Sequence, residues 1–564
     1  MKKLPRKQYR IHCALLCGWL IIGAALRFTN LGLKPPWSDE WATLVFSLGN
    51  SFQTIPLNEV ISLDTLLSPL QVDYSKTARD TIDNLLTEST HPPLYFVLNH
   101  WWLQLMTGNN GLVSIWWGRC FSVLFGVAAI PGMFALGYLW SRSLITAQIA
   151  SALMAVSPFG VYLAQEARHY TLAVLWVMAS LACLTVAIKH INGRVGIAHS
   201  TSWIVINVLG VATHYFFALA LVAQILVLFS FWWQDVIRQR NNWLSRYWQR
   251  IYGAIIGTVI GCLPWLFLWR SIPDNELTSW IYQEYSWAKL YEPGGRILLW
   301  LITKIGLLPV EGVPSEIAIA SGIILLATLG WLFPFLLRGY KQLKQSDTRL
   351  AITIIERFLI SAIALILIIT YTVGADLTLS SRFQFFYFPG WLLFLAIILA
   401  YVWQKNKKAV IVFILLGVFG SLTINHNLAF QKVERPDVVV PIMVEAYEQM
   451  PVIIAIEHYT HGQTGEIMSL GWQFQTLIAQ QRIAWQPQFF LAHQDRKTLD
   501  SSIISDRAAP RRERDRLKKI DSPFQLWSIN FKSTSELIIP NCLPDENYSR
   551  RATGYKYRLY NCNL

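Results

Sequence analysis

Apolar residues in this chain come in blocks of about 20, separated by short polar connections. A helix of that length crosses the hydrocarbon core of a bilayer. The blocks predict eleven membrane-spanning helices, so the fold class expected is an all-α polytopic membrane domain. The helices are predicted at residues 11–26, 119–140, 144–161, 171–188, 198–213, 216–233, 250–270, 317–337, 352–373, 384–403 and 409–424.

The charged residues indicate an orientation. Five cations precede the first block, which has no convincing cleavage site and is therefore interpreted as a retained helix with a cytoplasmic N-terminus. Lys and Arg are concentrated in the loops that this orientation places inside, as at Lys405, Lys407 and Lys408. The acidic segment 27–90 is then outside, and the short apolar stretch Pro92–Met106 is predicted to be an amphipathic helix on the membrane surface. We expect a multi-pass protein of the plasma (inner) membrane.

Composition excludes two other classes of protein. The chain has 564 residues, 54% hydrophobic and 15% charged, which excludes a disordered protein. The formal charge of +14 lies mostly in the inter-helix connections, so it indicates orientation and argues against a nucleic-acid partner. Cys542 and Cys562 lie in a polar tail, and the sequence leaves open whether they form a disulfide or are two free thiols.

The composition changes after the last apolar block, which divides the chain into two predicted domains. Residues 1–426 form the membrane domain, including the first outer loop 27–118, and residues 427–564 form a small extracytoplasmic α/β domain. An odd number of spans places this tail outside. Its pattern is a helix-like segment at Val438–Gln449, a basic stretch at Arg507–Lys519, and short β-like runs at Val452–Ala455, Phe524–Ile529, Leu537–Ile539 and Tyr555–Tyr560.

Five polar clusters lie at the outer ends of the predicted spans, where ionisable groups are costly and therefore candidates for function. They are Trp37-Ser38-Asp39-Glu40-Trp41, Glu88–Tyr95 with His91, the segment Gln165–Tyr170, Thr213-His214-Tyr215, and Arg382-Phe383, joined by Arg119. Adjacent helix positions face different ways, so only one carboxylate of the first cluster can point into a given site, and we favour Asp39.

Each cluster also has a purely structural interpretation. The Ser38-Asp39-Glu40 segment fits the solvated start of a helix, and His91 fits a capping residue before two prolines. Helical spacing in the third cluster groups Gln165, Arg168 and His169 on one face and Glu166 with Tyr170 on another. A Glu166–Arg168 ion pair between helices and arginines that anchor helix ends at the interface are the corresponding alternatives.

The ordered motifs resemble a known family. WSDEW, HPPLYF, RCFSVLFG, SPFGVYLAQEARHY, THYFF and a late RF are together similar to the GT-C membrane glycosyltransferases, and within them to the bacterial family 39 branch, which is related to protein O-mannosyltransferases and aminoarabinose transferases. The resemblance covers about residues 10–425. It implies an inverting transfer of a monosaccharide from a polyprenyl-phosphate donor on the periplasmic face.

The resemblance also implies site residues. Asp39 is similar to the catalytic acid of the family, with Glu40 beside it, and Arg382 to the cation near the lipid phosphate. The cavity residues implied are His91, Glu166, Arg168, His169, Tyr170 and His214. The polar clusters add Arg119 and Tyr215 as candidate donor- or acceptor-binding residues. One departure is Phe383, since many relatives have Arg-Tyr at this motif, so no hydroxyl role is expected there.

This interpretation requires only simple chemistry. A phosphate leaving group needs no acid, so one base to deprotonate the acceptor hydroxyl and one or two arginines for the developing charge suffice. No cofactor is expected, and no metal is predicted because a compact ligand spacing is missing.

Two alternatives remain open. A lipid or sugar transporter, or a flippase, also places charges in spanning helices, although the sequence has no paired inverted repeats. A polymer-ligating membrane protein with a pyrophosphate-linked donor is the other, and its outer loop should contain more arginine than this acidic one. The sugar and the acceptor, whether protein, lipid or glycan, are not evident from the sequence.

Overall fold

A computed structural model of the chain describes most of its residues. The described ranges are 6–108, 111–189, 191, 196–269, 276–282, 290–346, 348–493, 523–531, 542–552 and 554–563. They form two compact units. The helical unit comprises Met1–Leu31, Thr90–Tyr95 and Arg119–Gln431, and the sheet unit comprises Gly32–Ser89, Phe96–Gly118 and Lys432–Leu564.

The helical unit is built from long apolar helices. They are α1 (Arg6–Phe28), α6 (Ile115–Ser141), α7 (Leu144–Val156), α8 (Pro158–Ala164), α9 (Tyr170–Lys189), α10 (Ile197–Thr213), α11 (Phe217–Trp232), α12 (Arg246–Trp269), α13 (Glu292–Thr303), α14 (Ser315–Leu343), α15 (Arg349–Ile368), α16 (Phe388–Lys405) and α17 (Lys407–Asn425). Helix α13 is not predicted by the hydrophobic pattern.

Within the described part of the chain, eight helices are long and apolar enough to cross a membrane, and a bent pair makes up to nine. The predicted spans at 198–213 and 250–270 correspond to α10, of 17 residues, and α12, of 24 residues. Every predicted span therefore has a helical counterpart, and the chain is a multi-pass membrane protein with the predicted all-α membrane domain.

The span predicted at 144–161 is broken. Helices α7 and α8 meet at an angle of 55° at Ser157. Pro158 at the first turn of α8 lacks an N–H and disfavours helical backbone at Ser157, whose hydroxyl instead caps the Gly160 N–H at 3.2 Å. The break frees the last carbonyls of α7. Arg27 of α1 donates to two of them, those of Met154 and Ala155, at 2.7 and 2.9 Å.

Small residues allow α17 to approach this break closely. A Cβ on Gly420 would lie 2.4 Å from the Pro158 ring, and one on Gly417 would lie 2.7 Å from Val156. Ser421 on the same helix donates to the Val156 carbonyl at 2.9 Å. The buried polar groups at the bend are thus bonded by α1 and α17, as helices in lipid require.

In the sheet unit, the described residues form six strands and six α-helices. The strands are β1 (Val60–Ile61), β2 (Val452–His458), β3 (Gln488–His493), β4 (Phe524–Ile529), β5 (Cys542–Ala552) and β6 (Tyr555–Cys562), in the order β1-β3-β2-β4-β6-β5. β2 pairs in parallel with β3 and β4, and the other pairs are antiparallel. The helices are α2 (Ser38–Ser47), α3 (Leu63–Leu67), α4 (Ala78–Glu88), α5 (Leu94–Met106), α18 (Pro436–Glu445) and α19 (His461–Ala479). Helix α5 belongs to this unit from Phe96 onward.

The sheet contains residues from the first outer loop. β1 pairs with β3, with Val60 opposite Phe490, although 430 residues separate them. Of the segment 27–118, which the sequence analysis groups with the membrane domain, Gly32–Ser89 and Phe96–Gly118 belong to the sheet unit. The predicted domain boundary is residue 426, and the helical unit of the structure ends at Gln431.

The C-terminal pattern predicted about half of the strands. The runs at Val452–Ala455, Phe524–Ile529 and Tyr555–Tyr560 are β2, β4 and β6, and the helix-like segment corresponds to α18. β1, β3 and β5 are not predicted. A disulfide joins Cys542 and Cys562, which lie opposite each other on β5 and β6. The predicted run Leu537–Ile539 and the basic stretch Arg507–Lys519 lie outside the described residues.

Candidate functional site

A non-helical turn at residues 165–169 connects α8 to α9 in the helical unit. The helical grouping predicted for Gln165–Tyr170 is therefore wrong, because only Tyr170 belongs to a helix. Gln165 is directed elsewhere: its amide donates to the Thr29 carbonyl at 2.8 Å and to Asn425 Oδ1 at 2.9 Å. Every residue of this turn is buried.

Ser122 of α6 holds the turn in place. Its hydroxyl donates to the Arg168 carbonyl at 2.9 Å and accepts from the Arg168 N–H at 3.2 Å. Because its one proton is used on the carbonyl, the Tyr95 hydroxyl, 2.8 Å away, must donate to it. The Ser122 carbonyl also accepts from Thr171 at 2.9 Å. Neither Ser122 nor Tyr95 is singled out by the sequence, although both lie inside the RCFSVLFG and HPPLYF motifs.

Three histidines from distant parts of the sequence meet at this turn. The His169 ring lies 5.3 Å from the His91 ring and 4.5 Å from the His214 ring. Arg168 Nη2 is 3.0 Å from His91 Nε2. A guanidinium is only a donor, so that nitrogen of His91 carries no proton. The Phe216 N–H donates to His214 Nδ1 at 3.0 Å, which likewise places the proton of neutral His214 on Nε2.

Burial, assisted by nearby positive charge, keeps two of these imidazoles neutral. Burial lowers the pKa of His169 well below its ordinary value, and His214, Arg168, His91 and Arg382 lower it further. Burial also lowers the pKa of His214, with the same arginines contributing. Both imidazoles are therefore uncharged at neutral pH, while the two guanidinium groups keep their charge.

Arg382 belongs to this cluster. It lies on the 3-10 turn Ser381–Phe386, and α16 begins at Phe388, a few residues after the predicted helix start at 384. Its guanidinium interacts electrostatically with His169, His214 and Tyr162. Phe383 beside it packs edge-on against Phe216 at 4.9 Å, and Phe385 lies 4.8 Å from His214.

The structure thus brings together most of the residues that the sequence singles out in the helical unit. The cluster contains His91, Glu166, Arg168, His169, Tyr170, His214 and Arg382. Tyr215 is buried on the turn beside His214. Arg119 is buried as well and donates to the Leu31 carbonyl at 2.8 Å, a contact that ties α6 to the end of α1.

The remaining predicted residues, Asp39 and Glu40, belong to the sheet unit. Both lie in the first turn of α2, where the helix dipole favours a carboxylate. Glu40 is fully buried and forms an ion pair with Lys432 at 3.4 Å, also buried. Asp39 is partly exposed. The two carboxylates therefore face different surroundings, as their spacing predicts, and Glu40 is part of the packed interior.

The cluster of the helical unit is suited to an anion. It contains two guanidinium groups and neutral imidazoles, together with the carboxyl group of Glu166, in a buried setting where charge–charge interactions are stronger than in water. Within the described ranges, no group of three or more His, Cys, Asp or Glu side chains has an arrangement that could hold a metal ion.

Comparisons with known proteins return only distant structural similarity. No family model matches the sequence, and no curated protein matches it. Among solved structures, ArnT from Cupriavidus metallidurans in the apo state is 10% identical, with a TM-score of 0.49 over 99% of this chain and 98% of that chain. ArnT bound to undecaprenyl phosphate is 11% identical, with a TM-score of 0.49 over 98% of both chains.

The archaeal oligosaccharyltransferase AglB from Archaeoglobus fulgidus, in complex with an inhibitory peptide and a dolichol-phosphate, is also similar. It is 10% identical, with a TM-score of 0.47 over 98% of this chain and 74% of that chain. All three similarities are distant. With TM-scores below 0.5, they assign no role to any residue, and the fold class rests on the helices and strands of this chain.

Proposed function

We propose that this protein is a membrane glycosyltransferase that moves a monosaccharide from a polyprenyl-phosphate donor to an acceptor hydroxyl. The observation that carries the proposal is the buried cluster around Arg168, Arg382 and His169, because two guanidinium groups near neutral imidazoles suit a phosphate. The ordered motifs that resemble the GT-C family support the same function.

The proposed reaction is a single displacement. The acceptor oxygen forms a bond to the anomeric carbon, the bond from that carbon to the phosphate oxygen breaks, and the electron pair leaves with the phosphate. Asp39 takes the proton of the acceptor hydroxyl, and Arg382 stabilises the charge that develops on the phosphate. Attack opposite to the leaving group inverts the anomeric configuration. Glu40 has no part in this chemistry, because its carboxylate is paired with Lys432.

The disulfide supports transfer outside the cytoplasm. Disulfides persist in oxidising compartments, and the Cys542–Cys562 bond lies in the same unit as Asp39. The cations in the predicted inner loops support the same orientation. We therefore propose the periplasmic or extracellular face as the place of reaction.

The test uses the full-length protein in lipid nanodiscs with synthetic polyprenyl-phosphate sugars. Asp39→Asn should reduce transfer by roughly 10²- to 10⁴-fold, the range expected for loss of a general base, with donor binding retained. Asp64→Asn is the matched control, since Asp64 is an exposed carboxylate in the same unit. Unchanged turnover in Asp39→Asn contradicts the proposal.

A second variant tests the phosphate partner. Arg382→Ala should weaken donor binding by roughly 10- to 100-fold, the loss expected for hydrogen bonds to a charged group, and should lower transfer with it. Arg349→Ala, at an exposed position, is the control. A donor that crosses the bilayer intact, with no sugar transferred to any acceptor, would instead indicate the transporter or flippase alternative.

A further inference from the structure

Glu434 of the sheet unit binds the residue that opens α2. Its carboxyl group accepts the Ser38 N–H at Oε2, at 2.8 Å, and the Ser38 hydroxyl at Oε1, at 2.7 Å. Ser469 of α19 lies 3.3 Å from the same Oε2. A free N–H at a helix start needs an acceptor, and here that acceptor comes from a residue almost 400 positions away.

A second contact holds the residue on the other side of Asp39. Glu40 pairs with Lys432 at 3.4 Å, and both side chains are buried. Glu434 and Lys432 are two residues apart in the chain, and their partners Ser38 and Glu40 are also two residues apart. The short segment 432–434 therefore fixes the positions immediately before and after Asp39.

Helix α19 closes the remaining side of this turn. A Cβ on Gly465 would lie 2.9 Å from Ser38 Cα, so the two backbones touch at this position. Trp41 Nε1 donates to Ser469 Oγ at 2.8 Å, and the Trp41 and Trp472 rings are 5.2 Å apart. These contacts set the rotation of α2 about its axis, and with it the direction in which Asp39 points.

We propose that Glu434 and Lys432 are positioning residues that fix the orientation of the Asp39 carboxylate for proton transfer. This inference rests on the proposed function of Asp39. It assigns the C-terminal part of the chain a direct contribution to turnover, although the family resemblance covers only about residues 10–425. The segment that follows the last membrane helix orients the base.

The inference predicts a loss of kcat without a matching change in KM. Glu434→Ala removes both acceptors of Ser38 and should lower kcat by roughly 10- to 100-fold, the effect of a misplacement of about 1 Å at a reacting group. KM for the donor should stay within about 3-fold. Glu434→Gln retains one acceptor and should recover most of the loss, whereas a purely electrostatic role would not allow this rescue. Glu445→Ala, at an exposed glutamate of the same unit, is the control.

Hydrogen exchange of the backbone amides at residues 38–42 provides a readout that does not depend on activity. The exchange should be faster in Glu434→Ala and unchanged in the control. Ser38→Ala is a milder variant for the case that Glu434→Ala does not fold, and it should show the same two effects at a smaller size. In the double variant Ser38→Ala/Glu434→Gln, the losses should be less than additive because they share one contact.

The outcomes separate this inference from the function on which it rests. Full turnover in Glu434→Ala and in Ser38→Ala overturns the inference while leaving Asp39 as the base. Faster exchange with unchanged kcat overturns it as well, since the turn would then move without effect on the chemistry. If Asp39→Asn is fully active, the proposed function fails regardless of the exchange result.

Discussion

The buried ion pair between Glu40 and Lys432 allows the sharpest stability prediction. The side chain of Glu40 is 0% exposed and that of Lys432 is 4% exposed, with 3.4 Å between the charged atoms. Glu40→Gln leaves the Lys432 ammonium group buried without a negative partner, and Lys432→Met leaves the Glu40 carboxylate buried without a positive one. Loss of one partner of such a pair costs about 3–5 kcal/mol in free energy of unfolding. The double variant should recover most of this loss, because two uncharged side chains of similar size carry no desolvation penalty.

Thermal unfolding of the purified protein, followed by tryptophan fluorescence, provides the assay. A domain of about 200 residues shifts its midpoint by roughly 2–4 °C per kcal/mol, so each single variant should unfold roughly 6–20 °C below the unmodified protein. Asp39→Asn is the matched control on the neighbouring position. Since Asp39 is partly exposed, its replacement should leave the midpoint within about 2 °C.

Two results would refute this reasoning. A midpoint of Glu40→Gln within about 2 °C of the unmodified protein would mean that the pair contributes little to stability. A double variant as unstable as either single variant would mean that packing, and not an uncompensated charge, causes the loss. Coupling of the two sites in a double-mutant cycle distinguishes these explanations.

Two further predictions concern the sheet unit. Burial raises the pKa of Glu434 to about 8. Between pH 4.5 and 8 the folded chain therefore keeps a proton that the unfolded chain has lost, so the free energy of unfolding should fall as pH rises. Burial also lowers the pKa of His458 and of His461 to about 4. These two groups make the free energy of unfolding rise with pH, but only below pH 6.5. From pH 6.5 to 8 we therefore expect the free energy of unfolding to fall by about 2 kcal/mol. The thermal midpoint should fall over this pH range, and this fall should be absent in Glu434→Gln. Reduction of the Cys542–Cys562 disulfide, which closes a separation of 20 residues, should cost about 3 kcal/mol in the same assay, and an unchanged midpoint under reductant would contradict it.

Much of the helical unit could be predicted because each span is a local feature. A block of about 20 apolar residues satisfies its own backbone hydrogen bonds, so its length and composition suffice to identify it. The break at Ser157-Pro158 also has a local signal in the proline. The turn at 165–169 has none: its residues include good helix formers and no Gly or Pro. It is held by Ser122 and Tyr95, which are distant in the sequence.

The sheet unit was harder to predict for a similar reason. β2, β4 and β6 are apolar runs, whereas β1 has only two residues and owes its pairing to Phe489 and Phe490 of β3. The sequence of neither strand indicates that it pairs with the other. The sequence identifies the candidate residues of the helical unit because ionisable side chains are rare in or beside membrane helices. His91, Arg168 and Arg382 are therefore each recognisable on their own. Their mutual contacts follow only from the fold.

The pattern of α2 explains why one of two adjacent carboxylates is the better candidate for chemistry. Glu40 is fully buried, as are Leu44 and Leu48 on the same stripe of the helix. A buried charge requires an opposite charge, and Lys432 supplies it. Thr43 and Ser47, which share a stripe with Asp39, are also buried, but Asp39 lies in the first turn of the helix and is itself partly exposed, so its carboxylate keeps access to a substrate proton. A base must exchange its proton at every turnover, and a carboxylate sealed against a lysine cannot do so. The difference in exposure therefore supports the proposal that Asp39, and not Glu40, acts as the base.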